Sequence, residues 1–424
     1  MRALYSALFY CLLPALLIRL KVRAKTNPDY GQRIGERFGY IKKRNNTKPC
    51  VWVHAVSVGE VIAASPIVKA LQAHHPEWDF CLTTMTPTGS DRVKALFGDS
   101  LLHYYLPYDA PMLVNRFLDN LQPSMFVSME TELWPNMIAA CKKRDLPVLL
   151  ANARLSARSA KGYSRVYLLV KEMLKNIDII AAQANADAKR FRCLGATKAS
   201  VKVIGSVKFD VHVTESTQER VAELAKQLKL DGRKVVVFAS THAGEDELIL
   251  PMISRLYMLD ERFIGIVVPR HLERFQPVRE LASKLKLNVV NLTSDKATNA
   301  QTQMVLGDTM GDMFALYGLA DVAFIGGSLV YHGGHNYLEA AAWKLPILTG
   351  ISHFNFQTIA QQLRREGGLY IGSDAVHVEH QLEAWLQDSD NFKVSGEAAY
   401  AVCEQNRGAL PKLVSMIEGM MAKV

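Results

Sequence analysis

No pair of cysteines in this chain is spaced to hold a metal or to staple a small fold. Cys11, Cys50, Cys81, Cys141, Cys193 and Cys403 are scattered without a C-x-x-C, which excludes a zinc knuckle and a disulfide framework and points to a reducing compartment. No G-x-G-x-x-G follows the first strand-like run, which counts against a dehydrogenase, and no G-x-x-x-x-G-K-[ST] is present, which excludes a P-loop kinase or ATPase. Internal repeats, heptads and low-complexity tracts are also missing. His332 and His335 stand three apart beside glycines with no third ligand nearby, and Asp388-Ser389-Asp390 reads as a turn, so no metal and no cofactor is expected.

Charge is nearly absent from the body of the chain. Of the formal +9, a net +8 sits in residues 19–48, where Arg19, Lys21, Arg23, Lys25, Arg33, Arg37, Lys42, Lys43, Arg44 and Lys48 face only Asp29 and Glu36. Arg2 supplies the remainder. A nucleic-acid binder would carry its basic footprint on a folded domain, so no nucleic acid is expected as partner. A cationic segment just after an apolar one suits an anionic membrane surface instead. That apolar stretch, Ala3 to Ile18, has no charge, is interrupted by Pro14, and falls slightly short of the ~20 residues of a typical span. It lacks a small-x-small cleavage site and runs straight into basic residues, so it reads as a retained anchor rather than a signal peptide. The positive-inside rule then puts the basic flank and everything after it in the cytoplasm, with an anionic membrane surface met through residues 1–48. Spanning the membrane and lying in its interface both remain open.

With 424 residues, 49% of them hydrophobic, the chain can bury two full cores. Short β-branched or apolar runs alternate with helical patterns: Cys50–His54, Phe80–Thr84, Met125–Ser128, Val148–Asn152, Ile179–Ala182 and Val201–Ile204. After a polar stretch from Asp210 to Gly232 a second series follows: Val235–Ala239, Phe263–Val268, Leu287–Val290, Gln303–Leu306, Val322–Ile325, Pro346–Leu348 and Leu369–Ile371. Such alternation predicts βαβ units and parallel sheets, an α/β fold class. The expected division is an anchor at 1–20, domains at 21–210 and 211–390, and C-terminal helices at 391–424 that could pack on either domain, including back on the first. Two doubly wound domains facing each other would bind ligands in a crevice at the carboxyl ends of their strands.

Six stretches at such ends carry the chemistry. In VWVHAVSVGE, Ser57 and Glu60 have capping-box spacing, while the helix dipole would keep Glu60 ionised, as a base must be. SMETELWPN brackets Thr131 with Glu130 and Glu132, and NARLSARS offers Arg154 and Arg158 a helical turn apart. ASTHAGEDE places Ser240, Thr241 and His242 at a helix start, a phosphate cradle or a cap. VVPRHLERF ends a strand with Arg270 and His271, and Arg is a permanent charge suited to phosphate. GGSLVYHGGHNYLEA reads as strand, glycine loop, helix: its paired glycines let the backbone turn through positive φ and approach a ligand without a Cβ in the way, while the next helix aims its N-terminal N–H groups at that anion; Asn336 and Glu339 also fit a helix cap.

These motifs, with VKFD and LGDTMGDM, occur in an order that resembles bacterial Kdo transferases, which add 3-deoxy-D-manno-oct-2-ulosonic acid (Kdo) to the lipid A precursor; the match runs to about Phe356. The resemblance implies a GT-B glycosyltransferase, two Rossmann-like domains with a central crevice plus an N-terminal membrane-anchor helix. It implies inverting, metal-independent transfer of Kdo from CMP-Kdo to the lipid A precursor, lipid IVA. Glu60 matches the family's general base, and Ser240, His242, Arg270, Gly326, Gly327, Asn336 and Glu339 match its donor-side positions. Glu130 and Lys208 match residues lining the crevice. Ser206, Ala340, Lys344 and Gly350-Ile351 stand where the family commonly has asparagine, proline, glycine and G-P. The alternatives are another GT-B nucleotide-sugar enzyme, an epimerase or a transferase to a different acceptor, and a membrane-tethered nucleotide-sugar binding module without catalysis.

Overall fold

The computed structural model describes every residue except Asp295 and Val424, and every side chain except those two and the side chains of Ser389 and Asn391. The chain forms two compact units, one from Met1–Asp210 with Arg407–Val424, the other from Val211–Asn406.

The first unit holds a seven-stranded parallel sheet: β1 (Cys50–His54), β2 (Asp79–Thr84), β3 (Leu102–Tyr105), β4 (Met125–Met129), β5 (Val148–Ala153), β6 (Ile179–Ala182) and β7 (Val201–Val203). Their order is β3-β2-β1-β4-β5-β6-β7. Alternate residues feed different cores, as a sheet covered on both faces requires. Cys50 and Trp52 of β1 join Phe126, Val148 and Leu150 on one face. Val51 and Val53 join Met125, Val127 and Leu149 on the other. Trp52 stacks on Phe126 with ring centroids 4.0 Å apart. The edge strand β3 was not expected from the sequence; its LHYY is mostly half-buried and lacks the apolar run that marks a central strand.

The last helix, Ala409–Met421, completes this unit. Leu413, Val414 and Ile417 enter the core formed by Val61, Ala64, Val68 and Leu71 of the helix Val58–His74. Asp210 fixes its start, accepting the N–H groups of Gly408 and Leu410 at 2.6 and 2.7 Å.

The N-terminal segment is one helix, Arg2–Thr26, which carries Pro14 inside it and exceeds the apolar run read from sequence. By length and composition it could cross a membrane. One side of it is docked on the first unit: Tyr5 donates to Asp109 at 3.0 Å, Ser6 to Asn136 at 2.9 Å, and Leu20 packs with Tyr108, Ala110 and Leu113. Leu4, Leu8, Leu12, Ile18 and Val22 remain exposed.

The second unit has β8 (Lys234–Thr241), β9 (Phe263–Pro269), β10 (Val289–Asn291), β11 (Met304–Leu306), β12 (Val322–Ile325), β13 (Ile347–Thr349) and β14 (Leu369–Ile371), all parallel, in the order β10-β11-β9-β8-β12-β13-β14. Within the polar stretch that separates the two strand series lies the helix Glu215–Leu228, whose Leu224 and Leu228 are fully buried. Ser389–Asn406 belongs to this unit.

Candidate functional site

Sheet order locates the sites before any side chain is considered. In each unit the order reverses beside one strand pair, β1/β4 in the first and β8/β12 in the second, and the carboxyl ends of such strands open a binding cleft. Glu60 follows β1 and Glu130 follows β4. Ser240 and His242 lie at the end of β8, and Gly326 and Gly327 follow β12.

At the first switch point Glu60 occupies the opening turn of the helix Val58–His74. Its Oε2 accepts the Val56 N–H at 2.8 Å and its Oε1 the Ser57 hydroxyl at 3.3 Å, so the carboxylate caps the helix start while Ser57 caps nothing in return. The helix start is not the only influence on the ionisation of Glu60. Burial, reinforced by Glu132 and Glu130, pushes its pKa up to about 7 against the pull of the Val56 N–H. Burial likewise raises Glu132 to about 6. Lys208 Nζ stands 3.7 Å from Glu130. The turn bearing Lys208 is held by Asn152, whose side-chain oxygen accepts the Val207 N–H at 3.3 Å.

Sequence reasoning passed over His54 and Asn152, although both lie inside its motifs. His54 is fully buried and its Nδ1 meets the Thr83 carbonyl at 3.0 Å, which makes Nδ1 the protonated nitrogen and leaves Nε2 as a lone pair. Nε2 has no hydrogen-bond partner and lies 4.0 Å from Glu132. Burial lowers His54 to about 4, so this contact is not an ion pair at neutral pH. Asn152 Nδ2 is also buried without a partner. Arg154 and Arg158 are exposed.

Non-glycine residues in left-handed backbone mark both sites: Glu130 (φ 51°), Asn152 (φ 51°) and Ser240 (φ 56°). The register of β5 against β6 shifts between Leu150 and Ala153, and that of β8 against β9 between Ala239 and Thr241, so Asn152 and Ser240 sit on bulges. Strain of this kind persists where surrounding structure enforces it, commonly at functional sites.

At the second switch point the glycine loop packs tightly and its own N–H groups serve the protein. A Cβ on Gly326 would lie 2.8 Å from the Ser240 carbonyl, and Gly327 takes φ +67° with His335 3.0 Å from where its Cβ would be. Close approach is therefore real, but the N–H groups are already used. Gly326 donates to Ala239, Gly333 to Ser352 and Gly334 to Gly327. Gly327, Ser328 and Leu329 donate to Glu245 at 2.6, 2.9 and 2.9 Å, and His242 donates to the same carboxylate at 3.1 Å. The anion in this cradle is the protein's own. Glu245 is fully buried at the start of the 14-residue helix Asp246–Leu259, and sequence reasoning missed it because STHAGE reads as an ordinary acidic helix start. Burial raises its pKa, yet four N–H donors require the acceptor-only, ionised form.

Asn336 caps, as its spacing allowed: its side-chain oxygen accepts the Leu338 N–H at 3.1 Å and its amide donates to Glu339 at 3.0 Å. The helix that follows, Leu338–Ala342, is too short to supply a dipole. Burial raises the Glu339 pKa. Arg270 is exposed, anchored by its N–H to the Thr241 carbonyl at 3.0 Å, and its guanidinium pairs with no carboxylate among the described residues. It lies with His242, His271, His332 and His335 in a basic cluster. No group of three or more potential metal ligands occurs among the described residues.

Residues 32–211 match the family described as 3-deoxy-D-manno-octulosonic-acid transferase (kdotransferase). The chain is 41% identical over 419 residues to the 3-deoxy-D-manno-octulosonic acid transferase of Haemophilus influenzae, covering 98% of each chain. The chain belongs to the Kdo transferase family. A Bordetella pertussis Kdo transferase is 33% identical over 380 residues, 87% of this chain and 86% of its own. Among solved structures, UDP-GlcNAc 2-epimerase from Neisseria meningitidis is similar in fold, with TM-score 0.56 over 88% of this chain and 100% of that one, at 14% identity. As a Kdo transferase of lipopolysaccharide synthesis the protein is a glycosyltransferase, and its two parallel-sheet units have the GT-B architecture.

Proposed function

We propose that this Kdo transferase moves Kdo from CMP-Kdo to the lipid A precursor, lipid IVA, with inversion and with Glu60 as general base. The observation that carries the reading is the setting of Glu60: a helix-start carboxylate at the β1/β4 switch point whose pKa is raised to about 7 by burial and two neighbouring carboxylates. A base works best when its pKa lies near the working pH, where it is both ionised and basic. In this reading Glu60 takes the acceptor hydroxyl's proton, Glu130 and Lys208 line its surroundings, and the C–O bond to the phosphate breaks. The departing nucleotide then carries an extra negative charge, which Arg270, exposed and in no salt bridge among the described residues, meets in this reading. Ser240, His242, Gly326, Gly327, Asn336 and Glu339 shape that donor site, the glycines by close approach rather than by their N–H groups. These groups stabilise the leaving phosphate without calling on a metal.

For the membrane, the same reading takes the helix Arg2–Thr26 as lying in the interface at the cytoplasmic face of the inner membrane. Its Tyr5, Ser6 and Leu20 contacts run from its first turns into its last third along one side, leaving an apolar stripe from Leu4 to Val22 for lipid. Exposed Arg19, Lys21, Arg23, Lys25, Lys42, Lys43 and Lys48 would meet anionic headgroups. Arg33, Arg37 and Arg44 of the same basic segment serve the fold instead: Arg33 pairs with Glu36, Arg44 with Asp79, and Arg37 is buried beside Tyr105.

Incubating membranes that contain the protein with CMP-Kdo and lipid IVA should release CMP and add the mass of Kdo to the lipid. Nucleotide binding with no CMP release and no mass gain would instead favour the non-catalytic binding module, and conversion of a nucleotide sugar without transfer would favour an epimerase.

A further inference from the structure

The basic cluster of the second unit contains an arrangement that phosphate binding alone does not require. His242 Nε2 and His335 Nε2 are 2.8 Å apart with nearly parallel rings. Two imidazoles meeting through the same nitrogen share one proton: one ring donates from Nε2, and the other accepts there and carries its proton on Nδ1. The donating ring therefore keeps a free Nδ1 lone pair. A second proton added there makes an imidazolium whose charge is shared through the existing hydrogen bond, with no rearrangement of the pair.

Neither imidazole of the pair hydrogen-bonds a carboxylate among the described residues, and cationic or imidazole groups crowd around them. His332 stacks on His242 with centroids 4.2 Å apart, and His271 meets it edge-on at 5.5 Å. Arg270 and Arg274 add positive charge from the segment after β9. The nearby carboxylates are engaged: Glu245 by four N–H groups, Asp246 by Arg274 at 2.6 Å, and Glu339 by Asn336. The resting pair is neutral accordingly, with His242 lowered to about 4 and His335 to about 3, in both cases by burial first and the neighbouring cations second.

We propose that the His242–His335 pair is a proton-linked partner of the departing phosphate, taking one proton from solvent as the second negative charge develops on it and returning that proton when the nucleotide leaves. This rests on the donor-site reading above. The donor's phosphodiester carries one negative charge and the released monoester two. In the transfer, the acceptor oxygen bonds to the sugar carbon as that carbon's bond to the phosphate oxygen breaks; the breaking bond's electron pair stays on the phosphate, and the acceptor's proton goes to Glu60. The imidazole proton comes from water and goes back to it, so the pair stabilises the product charge without being consumed. A negative charge within ~4–6 Å raises such a pKa by about 1–3 units, enough for a dianion to bring the pair into the neutral range.

The test is calorimetric titration of the full chain with CMP at about pH 7.5, where CMP is already dianionic, in buffers of different ionisation enthalpy. CMP should bind with net proton uptake and bind several-fold more tightly as pH falls from about 8 to about 7, whereas a cytidine 5′-phosphate methyl diester should show neither effect. His335→Gln should remove the uptake while retaining CMP binding, and Arg270→Ala should weaken binding with the uptake intact. CMP binding by the unaltered protein without proton uptake overturns the inference and leaves the donor site standing. Failure of CMP to bind overturns the donor-site reading and this inference with it.

Discussion

The two switch points occupy the same place in the same kind of sheet and hold opposite chemistry. At β1/β4 the chain gathers three acids, Glu60, Glu130 and Glu132, with a buried histidine and one lysine, and leaves their charges poorly compensated. At β8/β12 it gathers histidines and an arginine whose guanidinium makes no salt bridge among the described residues, while the carboxylate under the glycine loop, Glu245, is saturated by backbone N–H groups. The fold thus decides where ligands can sit, and residue type decides what each end can do. A buried strand-end cluster of acids raises the pKa of its members, which is what the proposed base requires. A cluster of cations with its own anion locked away makes an anion site. Each half of this comparison can be broken separately.

The largest effect should come from Glu60→Gln. Glutamine can still accept the Val56 N–H through its amide oxygen, so the helix start is kept, while turnover should fall by about 10²–10⁴-fold, as loss of a general base does. Steady-state transfer assays alongside circular dichroism check both parts, and near-normal turnover would leave Glu60 a helix cap only. Next is Glu245→Ala. It strands the buried N–H groups of Gly327, Ser328 and Leu329, each worth ~1–3 kcal/mol, so the second unit should lose about 3 kcal/mol or more. A lowered thermal transition and earlier proteolysis within residues 211–406 are the expected signs; an unchanged transition would mean the loop does not depend on its internal anion. The smallest effect is at Lys344, which holds φ +58° where the family commonly has glycine, with its amine 3.0 Å from Glu397. Lys344→Gly should relieve backbone strain and be neutral or stabilising by up to ~1 kcal/mol, because the lost pair is solvent-exposed. A loss of several kcal/mol would show that the ion pair matters more than the strain.

Much of this was legible in the sequence because both sheets are fully covered. Strands such as CVWVH and MFVSM then read as short unbroken apolar runs, and the polar residues just after them mark the ligand end. The edge strand LHYY lacked that signature. Residue types at the sites were also legible, but their partners were not. Nothing in GGSLVYHGG says that its N–H groups are taken by a glutamate more than eighty residues earlier, and nothing in VGE says that Glu130 and Glu132 lie close enough to raise Glu60. Those are long-range consequences of sheet order, which a local pattern does not carry. The return of the last helix to the first unit was one of two packings left open, since its apolar face does not name the core it joins.

The central claim is that the first switch point holds a base poised near neutrality by burial and, after it, by neighbouring carboxylates. The pH profile of turnover from about pH 5 to about pH 9, compared with that of Glu132→Gln, tests it most directly. In the proposed mechanism turnover needs ionised Glu60, so it should rise with pH through about 7 and level off above, and removing the Glu132 charge should shift that limb to lower pH. A profile without a limb near neutrality, or a limb that stays in place in Glu132→Gln, would contradict the account.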